Sequence, residues 1–113
     1  MSAITTHVLD VSRGRPAAGV AVVLERASDG GWIRLGEGVT DADGRCRTLL
    51  PEGRPAPAGR YRLTFDTGAW FRSAGVESFF PDVQVTFDVP DSAHHHHVPL
   101  LVSPYGYTTY RGS

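Results

Sequence analysis

Histidine is the residue type in this sequence best suited to proton transfer, because the ordinary pKa of imidazole, about 6.5, lies close to neutral pH. Four of the five histidines form the run at residues 94–97, and the fifth is His7. In a strand, His95 and His97 point to one face and the other two members of the run point to the opposite face. A pair made of His97 and His7 could therefore move a proton as neutral imidazole.

The same residues have structural and metal-binding interpretations. A histidine in a strand is often structural, and His7 would share its face with Thr5, Leu9 and Val11. The run at 94–97 is not a terminal purification tag, because it leads into an apolar segment. A catalytic metal site needs at least three converging ligands, and a strand brings together only two adjacent imidazoles of the run. We therefore predict no metal site, with a histidine-rich metal-binding module as an alternative.

The segment Asp43-Gly44-Arg45 predicts a tight turn that displays Arg45 at the start of the next strand. A guanidinium there could hold a substrate carbonyl or stabilise the charge that develops on it. Arg47 lies on the same predicted face and competes for this role, and a solvated surface arginine is the structural alternative. The sequence contains no lysine, so any cationic active-site group must be a guanidinium, and Schiff-base chemistry is excluded.

The last nine residues carry four aromatic or cationic side chains, which indicates an ordered tail. Alternation across Tyr105, Tyr107 and Thr109 fits a final strand, which would bring the Ser113 hydroxyl to the place where that strand ends. Nucleophilic catalysis has little support, because the sequence lacks a Gly-x-Ser-x-Gly elbow and Cys46 is its one cysteine.

Apolar residues recur at every second position and indicate strands that would position these groups. The predicted strands cover residues 4–11, 20–25, 32–40, 61–66, 82–89 and 97–103, followed by the tail. Gly, Pro and Asp clusters separate them, and residues 69–74 could form a short helix. This pattern predicts an all-β fold, an antiparallel sandwich or small barrel.

Composition narrows the possible functions. At 113 residues with 41% hydrophobic content, the chain is expected to form a single domain over residues 1–113 that gains stability by oligomerisation. A net charge of −1 gives no electrostatic footprint for nucleic acid or for an anionic membrane. One cysteine excludes an intrachain disulfide. With neither a signal-peptide pattern nor a membrane span in the sequence, we expect a cytoplasmic protein.

The sequence resembles the 5-hydroxyisourate hydrolases, also called transthyretin-related proteins, along essentially its whole length. The segments that carry the resemblance are Thr6-His7-Val8-Leu9-Asp10, Gly14-Arg15-Pro16-Ala17, Thr40-Asp41-Ala42-Asp43-Gly44-Arg45, Tyr61 to Gly68, Phe79-Phe80-Pro81, the segment His97 to Tyr107 that begins His-Val-Pro-Leu-Leu, and the terminal Tyr110-Arg111-Gly112-Ser113. The terminal tetrapeptide joined to the His-Val-Pro-Leu-Leu strand is the most specific of them. One departure is His96, where the family usually has tyrosine, and we expect it to face away from His97.

The resemblance implies a transthyretin-like antiparallel β-sandwich of about eight strands with one short helix. It also implies a homotetramer, a dimer of dimers with active sites at the dimer–dimer interface. The implied reaction is hydrolysis of 5-hydroxyisourate to 2-oxo-4-hydroxy-4-carboxy-5-ureidoimidazoline in urate degradation, without a metal or organic cofactor. The family's site residues fall on His7, Arg45 and His97 as catalytic groups that also bind substrate, and on Tyr110, Arg111, Gly112 and Ser113 as further substrate-binding residues.

Our hypothesis for the mechanism is that His97 is the main general base and that His7 orients water or relays the proton. Arg45 and Arg111 would hold substrate carbonyls and stabilise the oxyanion. Either histidine could act as the base. A transthyretin-type protein that binds a hormone or another small molecule is the alternative from a different functional class. Carriers of that type lack the terminal Tyr-Arg-Gly-Ser that this sequence carries.

Overall fold

The computed structural model describes residues 2–113 and places them in two β-sheets with a core between them. Nine strands and one helix occupy this part of the chain. Their bounds are β1 Ile4–Asp10, β2 Arg15–Pro16, β3 Ala21–Ser28, β4 Gly31–Val39, β5 Arg45–Cys46, β6 Gly59–Phe65, α1 Thr67–Ser73, β7 Val83–Val89, β8 His96–Ser103 and β9 Gly106–Thr109. The predicted transthyretin-like sandwich with one short helix is confirmed, with seven longer strands and two strands of two residues.

Each sheet has a simple strand order. The first sheet runs β2-β1-β8-β9, and the short strand β5 pairs with β1 beside β2. The second sheet runs β4-β3-β6-β7 and is antiparallel throughout. Because β1 pairs with β8 along one edge and with β5 along the other, it brings residues distant in sequence to a single sheet face.

The core forms from the inward-facing side chains that alternate along the strands of both sheets. Tyr61, Leu63 and Phe65 of β6 are fully buried, as are Ile4 and Val8 of β1. Burial of an apolar side chain of this size contributes roughly 1.5–3 kcal/mol to stability. Because Ile4 and Val8 point into the core and side chains alternate along a strand, the odd-numbered residues of β1 lie on the outer face of the first sheet.

One strand pair differs from the predicted antiparallel arrangement. β1 and β8 are parallel, with Ile4 opposite His96 and Asp10 opposite Val102. Strands joined by a hairpin must pair antiparallel. Most of the chain lies between β1 and β8, and such a long connection allows the two strands to pair in either direction. Within the antiparallel sandwich that was predicted, β1 with β8 is therefore the one parallel pair among the described strands.

Smaller differences concern where elements begin and end. Residues 14–16, predicted as a turn, include the two-residue strand β2, and Val11 lies just beyond β1. The helix α1 begins two residues earlier than predicted, at Thr67. Within the described residues, no helix is long and apolar enough to cross a membrane.

Candidate active site

The parallel pairing of β1 with β8 places Thr5 directly opposite His97 on the outer face of the first sheet. The Thr5 hydroxyl lies 2.8 Å from Nδ1 of His97 and 2.9 Å from Nε2 of His95. The two imidazole rings stack with their centroids 6.3 Å apart and their planes 20° from parallel. The predicted common face of His95 and His97 is confirmed, and their rings share one buried hydroxyl.

On the opposite edge of β1, His7 pairs with Arg45 of β5. Nε2 of His7 lies 2.8 Å from the carbonyl oxygen of Asp43. Because a carbonyl oxygen only accepts hydrogen bonds, this nitrogen must carry the proton, and neutral His7 keeps its lone pair on Nδ1. The Asp43 carbonyl therefore fixes the tautomer of His7.

The turn before Arg45 is held by the carboxyl group of Asp41. That carboxyl accepts hydrogen bonds from the backbone N–H of Arg45 at 3.0 Å and of Asp43 at 2.9 Å. The backbone N–H of Arg45 is the main cause that lowers the pKa of Asp41 below its ordinary value. Gly44 has a φ of +78°, and a Cβ there would lie 2.3 Å from the carbonyl oxygen of Val8. Glycine is thus required at the point where the turn crosses β1.

The tail returns to His97 through Gly112. The N–H of Gly112 donates to the carbonyl oxygen of His97 at 2.8 Å, and the two residues form an antiparallel bridge. A Cβ on Gly112 would lie 2.6 Å from Cδ2 of the His97 ring. The absence of a side chain at this position lets the chain pass against the imidazole and carry Ser113 beyond it.

Several of these groups line a cavity of about 270 Å³, which we call the histidine–arginine cavity. Its lining residues are Thr5, Thr6, Arg45, Arg47, His95, His97 and Ser113. Burial lowers the pKa of His97 below its ordinary value, and the positive charges of Arg45, His95 and His7 act in the same direction. His97 is therefore neutral at neutral pH, as a general base requires.

Tyr110 and Arg111 line a different cavity, of about 260 Å³, which we call the tail cavity. Strand β7 forms its opposite wall, and His97 borders both cavities. The structure therefore brings Arg45, His97 and Ser113 together and places His7 beside them. It separates Tyr110 and Arg111 from that group, with Gly112 between the two sets.

His96 lies on the inner face of β8 and lines the tail cavity, only 4% exposed. Neither of its ring nitrogens has a hydrogen-bond partner within residues 2–113. Burial lowers its pKa below the ordinary value, and the positive charge of Arg111 lowers it further. As predicted, His96 faces away from His97, and the side to which it points is the protein interior.

Sequence reasoning missed two residues of the histidine–arginine cavity, Thr5 and His95, as members of the site. Strand alternation could have found both. Thr5 lies two residues before His7 and His95 lies two residues before His97, so each shares a strand face with a predicted site residue. Arg47, which was named as a competitor of Arg45, lies in the same cavity. Among residues 2–113, no three His, Cys, Asp or Glu side chains converge as metal ligands.

The chain is similar to proteins of one known family. The HIUase/Transthyretin family model matches residues 4–112. The 5-hydroxyisourate hydrolase of Salmonella typhimurium is 50% identical over 110 residues, which cover 97% of this chain and 80% of the relative. The 5-hydroxyisourate hydrolase of Mus musculus is 46% identical over 114 residues, which cover 99% of this chain and 96% of the relative.

Solved structures show the same relationship. Klebsiella pneumoniae 5-hydroxyisourate hydrolase superposes with a TM-score of 0.83 at 46% identity, covering 97% of this chain and 98% of that structure. Sea bream transthyretin in complex with thyroxine superposes with a TM-score of 0.89 at 38% identity, covering 96% of this chain and 93% of that structure. From the family match over residues 4–112 and the identity along nearly the whole chain, this protein belongs to the HIUase/Transthyretin family.

Proposed function

We propose that this chain hydrolyses 5-hydroxyisourate to 2-oxo-4-hydroxy-4-carboxy-5-ureidoimidazoline in urate degradation. The observation that carries the proposal is the meeting of His97, Arg45 and Ser113 in one cavity, with His7 beside it. Relatives that are named 5-hydroxyisourate hydrolase match 97–99% of the chain, which supports the same activity here.

His97 is the general base in this proposal. Its Nδ1 is engaged by the Thr5 hydroxyl, which leaves Nε2 as the other ring nitrogen. Nε2 is therefore the nitrogen that takes a proton from the attacking water. His7 presents its Nδ1 lone pair and orients that water, since the Asp43 carbonyl occupies its other nitrogen.

Arg45 stabilises the oxyanion that forms when water attacks the ring amide carbonyl. A guanidinium carries a permanent charge and five N–H donors, so it can hold two carbonyl oxygens of a planar ring at once. Arg47 lines the same cavity and takes the second position that sequence reasoning gave to Arg111.

Tyr110 and Arg111 form a wall of the tail cavity, and in this proposal they hold the tail in place beside His97. Gly112 provides the close backbone approach to the His97 ring, and Ser113 hydrogen-bonds the substrate from the end of the tail. No step in this mechanism uses a metal or an organic cofactor.

A transthyretin-type small-molecule carrier is the second candidate, because the sea bream protein bound to thyroxine has the same fold at a TM-score of 0.89. A carrier would need a surface that matches its ligand, but it would not need a general base beside a cationic group. The lowered pKa of His97, caused by burial and by Arg45, favours hydrolysis over simple binding.

We further infer one domain over residues 1–113, a homotetramer built as a dimer of dimers, and a cytoplasmic location. The histidine–arginine cavity lies on the outer face of the first sheet, where a second dimer could cover it. Exposed apolar side chains such as Val11 and Tyr107 would gain from that contact. Sedimentation velocity at several protein concentrations tests the assembly, and a monomer at all of them contradicts it.

The decisive experiment supplies the protein with the product of urate oxidase and follows the absorbance of 5-hydroxyisourate. Decay above the spontaneous rate, proportional to protein concentration, is the expected result. Decay at the spontaneous rate, together with saturable binding of thyroxine, would instead support the carrier.

A further inference from the structure

We propose that Thr5 and His95 are positioning residues that hold His97 as the tautomer with its proton on Nδ1 and its lone pair on Nε2. The activity part of this inference rests on the proposed hydrolase function, whereas the tautomer itself does not. The contacts that carry it are the two hydrogen bonds to the Thr5 hydroxyl, 2.8 Å from His97 Nδ1 and 2.9 Å from His95 Nε2.

Counting protons on the Thr5 hydroxyl limits the arrangements. A hydroxyl has one proton to donate and two lone pairs that accept, so it can donate to only one of the two imidazoles. The other imidazole must donate to it. Either His97 donates from Nδ1 and Thr5 donates onward to His95, or the direction of both bonds is reversed. A third case has both histidines donating, and it leaves His97 in the same tautomer as the first.

The charges around the cavity select between the two directions. If the bonds ran from His95 through Thr5 to His97, the His97 proton would lie on Nε2. That proton would lie on a ring that lines the same cavity as Arg45 and Arg47, whose guanidinium groups donate hydrogen bonds and accept none. A lone pair on Nε2 complements those positive groups, so the direction from His97 to Thr5 to His95 is favoured.

His95 is suited to the end of this chain of bonds. Its side chain is exposed, so water can satisfy the proton on its Nδ1 while Nε2 accepts from Thr5. Thr5 is itself buried, which keeps water from competing for its hydroxyl. Two hydrogen bonds thus link the exposed imidazole of His95 to the half-buried imidazole of His97 through the buried hydroxyl of Thr5.

The same contacts also fix the orientation of the His97 ring about χ2. A half-turn of the ring about χ2 would exchange Nδ1 with Cδ2, so that a carbon would face Thr5 and a nitrogen would face Gly112. That orientation would lose the hydrogen bond to Thr5, and stacking on His95 keeps the ring plane in place. Thr5 therefore sets both the orientation of the ring and the position of its proton.

The direct test is the ¹⁵N NMR spectrum of the imidazole rings in the full-length protein, assigned with His95→Asn and His97→Asn. We expect a protonated Nδ1 and an unprotonated Nε2 for His97, and an unprotonated Nε2 for His95. A protonated Nε2 on His97 overturns the proposal, whether or not the protein hydrolyses 5-hydroxyisourate. A protonated Nε2 on His95 removes His95 from it.

Two substitutions at Thr5 test the consequence for activity. Thr5→Val keeps the shape and removes the hydroxyl, and we expect kcat to fall about 10-fold to 100-fold with KM changed little, as for other residues that orient a catalytic imidazole. Thr5→Ser restores the hydroxyl and should restore kcat. Equal kcat values for Thr5→Val and the unchanged protein would overturn the positioning role.

His95→Phe offers a parallel test, because phenylalanine keeps an aromatic ring beside His97 but accepts no hydrogen bond from Thr5. We expect a smaller loss of kcat than for Thr5→Val, together with a measurable fraction of the other His97 tautomer in the ¹⁵N spectrum. The matched control is His94→Asn, an exposed member of the same run whose Nδ1 contacts Asp91. This control should leave kcat and the His97 tautomer unchanged. An effect as large as that of His95→Phe would contradict the positioning role of His95.

Discussion

The backbone N–H of Gly112 donates a hydrogen bond to the carbonyl oxygen of His97 at 2.8 Å, and the imidazole of His97 lies against the α-carbon of Gly112. The tail and the proposed base therefore form one unit, in which the position of each depends on the other. This contact explains why a glycine stands between the residues of the tail cavity and Ser113.

Gly112→Ala should displace the His97 ring, because the new Cβ would lie 2.6 Å from its Cδ2. We expect kcat to fall about 10-fold to 100-fold while the fold is retained. The spectrophotometric hydrolase assay measures the loss, and circular dichroism checks the fold. Gly106→Ala is the matched control, since its Cβ would meet only Ser103 Oγ at an ordinary 3.7 Å. Similar activities for the two variants would contradict the contact.

His97→Asn should remove the base and leave the β8 backbone intact. Loss of a general base lowers kcat on the order of 10²–10⁴-fold. His7→Asn should cost less, because the Asp43 carbonyl already engages Nε2 of His7 and the residue lies outside the cavity lining. Steady-state kinetics of both variants decide the order. If His7→Asn loses more activity than His97→Asn, the roles of the two histidines are exchanged.

The pH dependence of activity should show a single acid limb set by His97. Burial, Arg45, His95 and His7 all lower its pKa, so the neutral, active form should persist below the ordinary histidine value of about 6.5. Activity should therefore fall only at a lower pH, as His97 becomes protonated. The pH profile of kcat/KM together with an NMR titration of His97 measures this. An acid limb above about pH 6.5 would contradict the assignment.

His96→Phe should stabilise the protein, because it replaces a buried imidazole without hydrogen-bond partners by an apolar ring. We expect the free energy of unfolding to rise by about 1 kcal/mol near neutral pH. The folded-state pKa of His96 is lowered, so the unfolded chain binds the proton first and stability is lost as pH falls below about 6.5. The variant should lose less stability than the unchanged protein over that range. Urea unfolding at several pH values checks both effects, and a destabilised variant would show that His96 has a partner in solution.

Activity should survive treatment with EDTA. His95 and His97 are the two imidazoles that lie together at the site, and both already hydrogen-bond the Thr5 hydroxyl, so a divalent ion would have to displace those bonds. The assay is repeated before and after chelation and dialysis. Loss of activity that returns with added Zn²⁺ would instead support a metal-dependent mechanism.

The face on which each histidine lies could be predicted from the sequence, because strand alternation is local. Period-2 parity placed His95 with His97, and it placed His96 on the opposite face. The turn at Asp43-Gly44 also followed from local chemistry. These features depend on residues that are close together along the chain.

The contact between Thr5 and His97 could not be predicted in that way. It depends on the parallel pairing of β1 with β8, which no hairpin connection specifies. The separation of Arg111 from Arg45 has a similar origin, since the bridge at Gly112 turns successive tail residues towards different cavities. The resemblance to the family named the residues, whereas their division between two cavities required the folded chain.

The parallel pair also bears on how the protein is made. Thr5 and His97 are 92 residues apart, and the chain between them contributes the whole of the second sheet. A ribosome must therefore synthesise the whole segment between Thr5 and His97 before β1 can meet β8, and non-local pairing of this kind forms slowly. A product cut short before β8 would carry neither His97 nor the tail, so it would have no hydrolase centre. Activity in a cell extract would accordingly report folded protein that contains β8 and the tail.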